Sequence, residues 1–482
     1  MENINMKRMV HILQTLLFSI LLFAALCHVS DILMRKESSE KYTPFLEDKT
    51  EFDVLFMGNS HMVNGVFPME LWRDYGIASY NIAGYGNTLP TSYWAMKLAF
   101  EYHVPKLMVI DISNVSREEK LTGSSGDLHK TLDCYPLSLM KIQAVNDLCD
   151  DPTLVDDDNN FYKDMKWEYY LPLGKYHSRW NDLHESDFVL DANRQKGAEA
   201  IIGVAQPREY MIFEDDYATE ELGWGFVYLR KMIEECQARE VDVLLTHIPF
   251  PSKQYQQRDA NAIRYIAEEY GVDFVDMVYM DQVVDYDTDL FDPSAHLNPS
   301  GAFKITDYLG RLLSEQYGIP DQRNHPDYQS WYEDAKQYHQ EKVSLFAKAS
   351  SAWCYWMLLS DDDFSFVAEL SEQDLQQDEV LTALVRNAGI QPEQVKGTCI
   401  LAADRNSGAV TYLDYETLLQ GAAETALGTL TIDAEGLKLD QQLCWQTESI
   451  QPASAGMRFA LFDAENQLAG TAQFSANEIK SE

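Results

Sequence analysis

A hydroxyl, an imidazole and a carboxylate occur in this chain in settings that suit one reaction. Ser60 closes the stretch FDVLFMGNSH (52–61), where six mostly apolar residues run into Gly58, Asn59 and Ser60. Gly, Asn and Ser form turns at the ends of strands. A serine lifted out of a sheet on such a corner is also a candidate nucleophile. Its hydroxyl is nearly unreactive at neutral pH without a base. The expected base is a histidine oriented by a carboxylate or a backbone oxygen. Of eleven histidines, His296 lies in FDPSAHLNPSG (291–301), with Asp292 four residues before it. If that loop folds back, Asp292 holds one ring nitrogen and leaves the other for Ser60. A lone histidine is ordinarily a solvated or satisfied residue; the joint placement of serine, aspartate and histidine favours acyl transfer through an acyl-serine. The negative charge that develops on the carbonyl oxygen needs donors. The backbone N–H of Ser60 at a helix start is one, and the loop NIAGYGNT (81–88) offers two glycines and the Asn87 side chain.

These residues must be positioned by an α/β scaffold. Apolar runs at 52–58, 78–84, 106–112, 241–249 and 272–277 are mostly continuous and not alternating, as expected of strands covered on both faces. Helical patterns at 91–103, 226–240 and 259–271 lie between them, and a last one at 300–318 follows. This alternation predicts five parallel strands wrapped by helices. The end of the first strand and the loop before the last helix then share one sheet edge. A long excursion, about 115–220, leaves the carboxyl end of the third strand, where such folds build substrate sites.

GNSH, followed by N-x-x-G-x-G-N and D-x-x-x-H-x-N, resembles the SGNH (GDSL-type) hydrolases over roughly residues 50–318, in the manner of membrane-anchored bacterial members linked to surface polysaccharides. The resemblance implies a flavodoxin-like three-layer α/β/α fold. It implies Ser60 as nucleophile, His296 as base and Asp292 as its partner. It also implies Gly86 in the oxyanion hole with Ser60, and an asparagine for which Asn114 and Asn87 compete. Asn59 stands where many members carry Asp, the Asp-to-His spacing is one residue longer than D-x-x-H, and IDISNV (110–115) replaces the third block's G-T-N-D. Residues 455–474 resemble part of an interleukin-like epithelial-mesenchymal-transition-inducer domain; a plain β-hairpin reads the same way.

Other candidates for substrate contact are His61 beside Ser60, His247 at the end of the fourth strand, and His177, Arg179 and Trp180 in the excursion. A packed strand-end histidine accounts for His247 as well. The Asp runs at 156–158 and 361–363 lack calcium-loop spacing, and no metal or cofactor is expected. Seven scattered cysteines form neither a zinc pattern nor a disulfide framework.

The whole chain of 482 residues carries a formal net charge of −39. Such a surface repels phosphate backbones, which excludes a nucleic-acid binder. It would also be repelled by anionic lipid, so attachment must come from a hydrophobic segment. Val10–Ser30 is one, about the length needed to cross a hydrocarbon core. It reads as an uncleaved single-pass anchor with the body outside the cytoplasm, a cleaved signal peptide being the rival. The expected organisation is anchor 1–30, linker 31–50, hydrolase-like domain 51–318, linker and one helix 319–359, and a smaller α+β unit 360–482. The expected function is an extracytoplasmic esterase or O-acyltransferase acting on acetyl esters of surface glycans, working beside polysaccharide-synthesis proteins. A non-catalytic carbohydrate-binding or assembly protein is the alternative.

Overall fold

The computed structural model describes residues 2–36, 39–113, 115, 125–150, 166–189, 195–206, 216–220, 223–280, 283–293, 296–446 and 456–480. Its first element is α1 (Glu2–Leu33), a helix long and apolar enough to cross a membrane, as a signal sequence can also be. α2 (Ser39–Glu47) follows in the stretch read from sequence as a linker. Tyr42 and Phe45 explain the difference: both are buried, and the Phe45 ring packs on Phe52 and Tyr80 with centroids 5.5 and 5.0 Å apart. Two aromatic residues three apart give a short helix one apolar stripe, and that suffices to dock it.

The central sheet contains β1 (Val54–Met57), β2 (Ser79–Asn81), β3 (Leu107–Asp111), β4 (Asp242–His247) and β5 (Asp273–Asp276). Their order is β2-β1-β3-β4-β5, and every pairing is parallel. This is a doubly wound order, with a crevice at the carboxyl ends where the winding reverses. Alternate residues of each strand feed opposite layers, as the period of two requires. Leu55, Met57, Met108, Ile110 and Leu245 pack with α5 (Leu89–Tyr102) and two later helices, over Trp224–Gln237 and Gln254–Tyr270. Val54, Phe56, Leu107, Val109 and Leu244 pack on the other side with α3 (Ser60–Gly65), α4 (Pro68–Tyr75) and the helix Pro299–Glu315. The runs read as continuously apolar because both sets are buried.

The excursion after β3 carries α6 (Ser125–Leu132), α7 (Leu139–Asp150), α8 (Lys166–Tyr170) and α9 (Leu173–Tyr176). The helices Trp224–Gln237, Gln254–Tyr270 and Pro299–Glu315 are α10, α11 and α12. Beyond them α13 (Gln329–Lys348) and α14 (Ala352–Leu358) replace the single helix expected up to 359. The chain turns extended at Ala349, and the Ser351 side chain accepts the Cys354 amide, which starts a new helix.

The C-terminal unit is built on antiparallel sheets. One has five strands, in the order β14-β13-β6-β7-β8: Leu468–Phe474, Met457–Phe462, Ser365–Ser371, Thr398–Asp404 and Ala409–Asp414. The other has four, in the order β12-β11-β10-β9: Gln442–Trp445, Leu437–Leu439, Thr429–Ile432 and Ala423–Glu424. Phe366, Leu401 and Phe459 face the helices α14 and Glu379–Asn387, while Val367, Ile400 and Ala460 face the smaller sheet. A buried ion cluster joins this unit to the α/β body. Lys342 Nζ of α13 reaches Glu70 Oε1 of α4 at 2.9 Å and Asp361 Oδ2 at 2.8 Å, and also bonds Asp363. Arg73 Nη1 adds contacts of 2.8 Å to Glu70 and 2.6 Å to Asp363.

Candidate active site

β1 delivers the chain to a corner that only glycine fits. Gly58 has φ +156°, and a Cβ there would stand 2.8 Å from Asp111 Cβ on β3. Asn59 is the N-cap of α3: its Oδ1 accepts the His61 amide at 2.8 Å. Its Nδ2 donates to Ser113 Oγ at 3.0 Å, and the Ser113 hydroxyl in turn donates to the Asp111 carboxylate. Burial pushes the Asp111 carboxyl above the usual range, although Ser113, His247 and the Ile248 amide pull the other way. A neutral amide at position 59 therefore avoids a second carboxylate close to Asp111. Ser60 is the first residue of the helix, where its N–H has no intrahelical carbonyl to meet.

The loop before α12 supplies the imidazole. Asp292 and His296 sit on a small fold-back closed by the Leu290–Leu297 antiparallel bridge and by the Phe291 amide donating to His296 O at 2.9 Å. The fold-back puts His296 Nδ1 in contact with Asp292 Oδ2. His296 Nε2 lies 2.8 Å from Ser60 Oγ. An ionised carboxylate only accepts, so the ring proton belongs on Nδ1, and Nε2 is left to accept the serine hydroxyl. Both side chains of the Asp–His pair remain 26% exposed, which leaves them open to a substrate.

Asn298, absent from the residues singled out by sequence, pins this loop. It is fully buried; its Nδ2 donates to Gly203 O at 3.0 Å, Thr288 O at 2.8 Å and Leu290 O at 3.3 Å. Its Oδ1 caps α12 through the Gly301 amide at 3.3 Å. The signal lay in the quoted H-x-N: an asparagine just before Pro and Ser at a helix start is a capping residue.

The loop after β2 is drawn to the serine corner by the Gly84 amide, which donates to Gly58 O at 3.2 Å. Gly86 has φ +73°, and a Cβ there would meet the Asp127 side chain of α6 at 2.9 Å, so both backbone and space demand glycine. Asn87 is buried, and its Oδ1 accepts the Thr131 hydroxyl of α6 at 2.7 Å. Asn114 lies outside the described residues. The His61 ring meets Phe250 edge-on at 4.5 Å and sits 5.6 Å from the His296 ring, forming a wall behind the imidazole.

Of the remaining candidates, His247 reaches the site through Phe250, whose ring its own meets at 5.3 Å, and the three of the excursion lie elsewhere. His247 is buried and bonded at 3.1 Å to Asp276 on the neighbouring strand, which also takes Arg264 at 3.3 Å. It is a strand-end residue held in a polar network. Arg179 donates to Leu33 O at 2.6 Å and to Asp187 Oδ1 at 2.8 Å, which fixes it at the end of α1. His177 Nδ1 is bonded to Gly174 O at 2.7 Å, and Trp180 projects into solvent. No contact among the described residues links His177, Arg179 or Trp180 to Ser60. Glu70, Asp361 and Asp363 bring oxygens within 4.8 Å of one another, a spacing a metal ion could use. Lys342 and Arg73 supply the positive charge there.

No protein-family model matches the chain, and no curated protein matches it. Among solved structures it is similar to a GDSL-like lipase from Bacteroides thetaiotaomicron at 12% identity, over 58% of this chain and 98% of that one, with TM-score 0.28. A Bacteroides fragilis chain assigned as an acylhydrolase gives 12% identity, 58% and 95% coverage, and TM-score 0.28. An active-site mutant of a family two carbohydrate esterase from Clostridium thermocellum gives 10% identity, 56% and 66% coverage, and TM-score 0.28. Likenesses of this size assign neither a family nor an activity to the chain.

Proposed function

We propose that the chain is a membrane-anchored serine esterase or O-acyltransferase of the SGNH type, working outside the cytoplasm on acetyl esters of cell-surface glycans. The observation that carries the reading is the 2.8 Å approach of His296 Nε2 to Ser60 Oγ, with Asp292 on the opposite ring nitrogen. Ser60 Oγ attacks the ester carbonyl as His296 Nε2 takes its proton. Asp292 holds the imidazolium that forms and keeps the ring turned. The oxyanion is met by the N–H of Ser60, with Gly86, Asn87 and Asn114 as the further candidate donors. Collapse breaks the ester C–O bond; the alcohol leaves with the proton held by His296, and acyl-Ser60 remains. His296 Nε2 then takes a proton from water or a sugar hydroxyl as that oxygen attacks the acyl carbon. The acyl–Oγ bond breaks, Ser60 recovers the proton from His296, and the product is the free acid of an esterase or the acylated sugar of a transferase.

The long apolar α1 supports attachment to a membrane, and the net charge of −39 disfavours polyphosphate substrates. The test is hydrolysis of an arylacetate and of acetylated glycan by the full chain in detergent. Ser60→Ala should lower the rate by several orders of magnitude with folding intact. An unchanged rate in Ser60→Ala would overturn the reading. Loss of glycan binding on removing 360–482, with no acetyl turnover by the wild type, would select a binding protein instead.

A further inference from the structure

Large apolar side chains are exposed on the excursion in a group that the proposed reaction does not use. Leu139 of α7 is 79% exposed, Trp180 is 71% and Phe188 is 62%, with Leu137, Trp167 and Val189 alongside. Surface apolar residues scattered singly mean little; a cluster marks an interaction surface.

Its place relative to α1 says what covers it. Leu26 and Leu33 lie seven residues apart on one stripe of the helix, yet Leu26 is 38% exposed and Leu33 only 4%. Ser30, between them, is buried. The folded body therefore meets the helix at Ser30. The Leu173 amide donates to Ser30 Oγ at 2.9 Å, Arg179 donates to Leu33 O at 2.6 Å, and Leu33 and Met34 pack with Tyr176. Cys27 and His28, one turn below, also line the cleft beside the body, and below Cys27 the helix is exposed and mostly apolar. Val10 to Val29 spans about 30 Å at 1.5 Å per residue, the thickness of a hydrocarbon core. One face of a bilayer crossed by α1 then falls at Ser30.

Leu137, Trp167, Trp180 and Phe188 lie close to that level, and Leu139 stands two residues beyond Leu137 at the start of α7. Leu137 and Phe188 line a cleft of about 590 Å³ together with Cys27, His28, Ser30, Asp31 and Ile32 of α1. Trp180 belongs to the turn His177–Asn181 that carries Arg179, and the Trp167 ring lies against Gly174, one residue from the Ser30 contact. Tryptophan is the residue enriched where hydrocarbon meets headgroups.

We propose that this excursion forms a collar that rests on the outer surface of the bilayer, with Leu139, Trp167, Trp180 and Phe188 inserted among the headgroups. The inference rests on α1 being the membrane span, as in the function proposed above, and goes beyond it by assigning a second, peripheral lipid contact. Lys36 lies beside Asp31, Lys166 pairs with Asp150, and Lys175 lies near Asp133 and Glu168, so adsorption is apolar and independent of anionic lipid. The collar also touches the catalytic side. α6, whose Thr131 bonds Asn87, carries His129, which packs on Tyr169 of α8 and Tyr176 of α9 at 4.3 and 6.0 Å.

The test uses the full chain in lipid nanodiscs and its nine tryptophans. α1 contains none, so incorporation into discs reports the span and tryptophan quenching reports the collar. Phosphatidylcholine brominated near the carbonyl should quench wild-type emission. Trp167→Phe/Trp180→Phe should remove at least half of that quenching, and replacing a third of the lipid with phosphatidylglycerol should leave it unchanged. Acrylamide quenching provides a second reading: both tryptophans should be accessible in detergent and shielded in discs. Incorporated wild-type protein that brominated lipid does not quench would overturn the collar. So would quenching that the double variant retains in full. Shielding from acrylamide without bromine quenching would also overturn it, assigning the patch to a second copy or a protein partner.

Discussion

Asn298→Ala tests how the base is held. In the wild type two N–H protons of Asn298 serve three carbonyls, and Leu290 O also takes the Ala205 amide at 2.8 Å. Truncation thus leaves Gly203 O and Thr288 O short of a donor in a fully buried site, at about 1 kcal/mol or more each. It also removes the cap of α12, worth about 1 kcal/mol. The sum is about 3 kcal/mol, a large share of a domain's stability. His296 sits two residues upstream on the same fold-back, so the imidazole should also drift. A displacement near 1 Å costs on the order of 10²-fold in rate. Urea unfolding and arylacetate turnover, measured where near-ultraviolet circular dichroism shows native packing, read the two effects separately. Asn298→Asp keeps the capping acceptor but turns a carboxylate on the carbonyls, and should be no better than alanine. If Asn298→Ala stays within about 0.5 kcal/mol of wild type and keeps full rate, the loop is held by something else and the reasoning fails.

Asp292→Asn should lower the rate by on the order of 10⁴ because the amide no longer enforces the Nδ1–H tautomer. Its stability should barely change at this part-exposed position, and near-wild-type turnover would remove Asp292 from the account. Lys342→Met leaves Glu70 and Asp361 buried with Arg73 as their one remaining ion-pair partner among the described residues. It should cost about 3–5 kcal/mol and expose the 359–364 junction to limited proteolysis, whereas unchanged stability would contradict the clamp. Burial lowers the Lys41 ammonium from 10.5 to about 8, with Glu199 opposing, while its Nζ donates to Ala83 O at 2.5 Å. Between those values the unfolded chain binds a proton that the native chain does not, so stability rises with pH across that window. Below pH 8 the cost is fully present, about 3 kcal/mol for this drop. The stability advantage of Lys41→Met over wild type should therefore shrink from pH 8 to 10.5, and a difference that stays flat would refute it.

The parallel sheet was legible because its strands are buried on both faces, which leaves runs such as LMVID (107–111) without polar interruption. Near-local signals also read well: the turn at Gly58–Asn59 and the four-residue Asp292–His296 spacing describe contacts made within one loop. What failed to read depends on partners distant in sequence. His247 in LLTHIP reads equally as a substrate contact and as a packed strand-end residue, and it is the register of β4 on β5 that sets Asp276 beside it. Arg179 looks like a cation for substrate until the fold brings it to Leu33. Tyr42 and Phe45 sit in a polar stretch that reads as linker, because the pocket receiving them is assembled from Phe52, Tyr80 and His103. The break at 349–351 turns on one serine cap inside an otherwise helical pattern.

The most direct test of the central claim is covalent. The full chain in detergent is treated with a fluorophosphonate, digested, and the modified peptide is sequenced by mass spectrometry. An activated Ser60 predicts labelling at that residue, and near-complete loss of labelling in His296→Ala at unchanged folding. Folded wild-type protein that leaves Ser60 unmodified, or labelling of Ser60 that persists undiminished without His296, would contradict it.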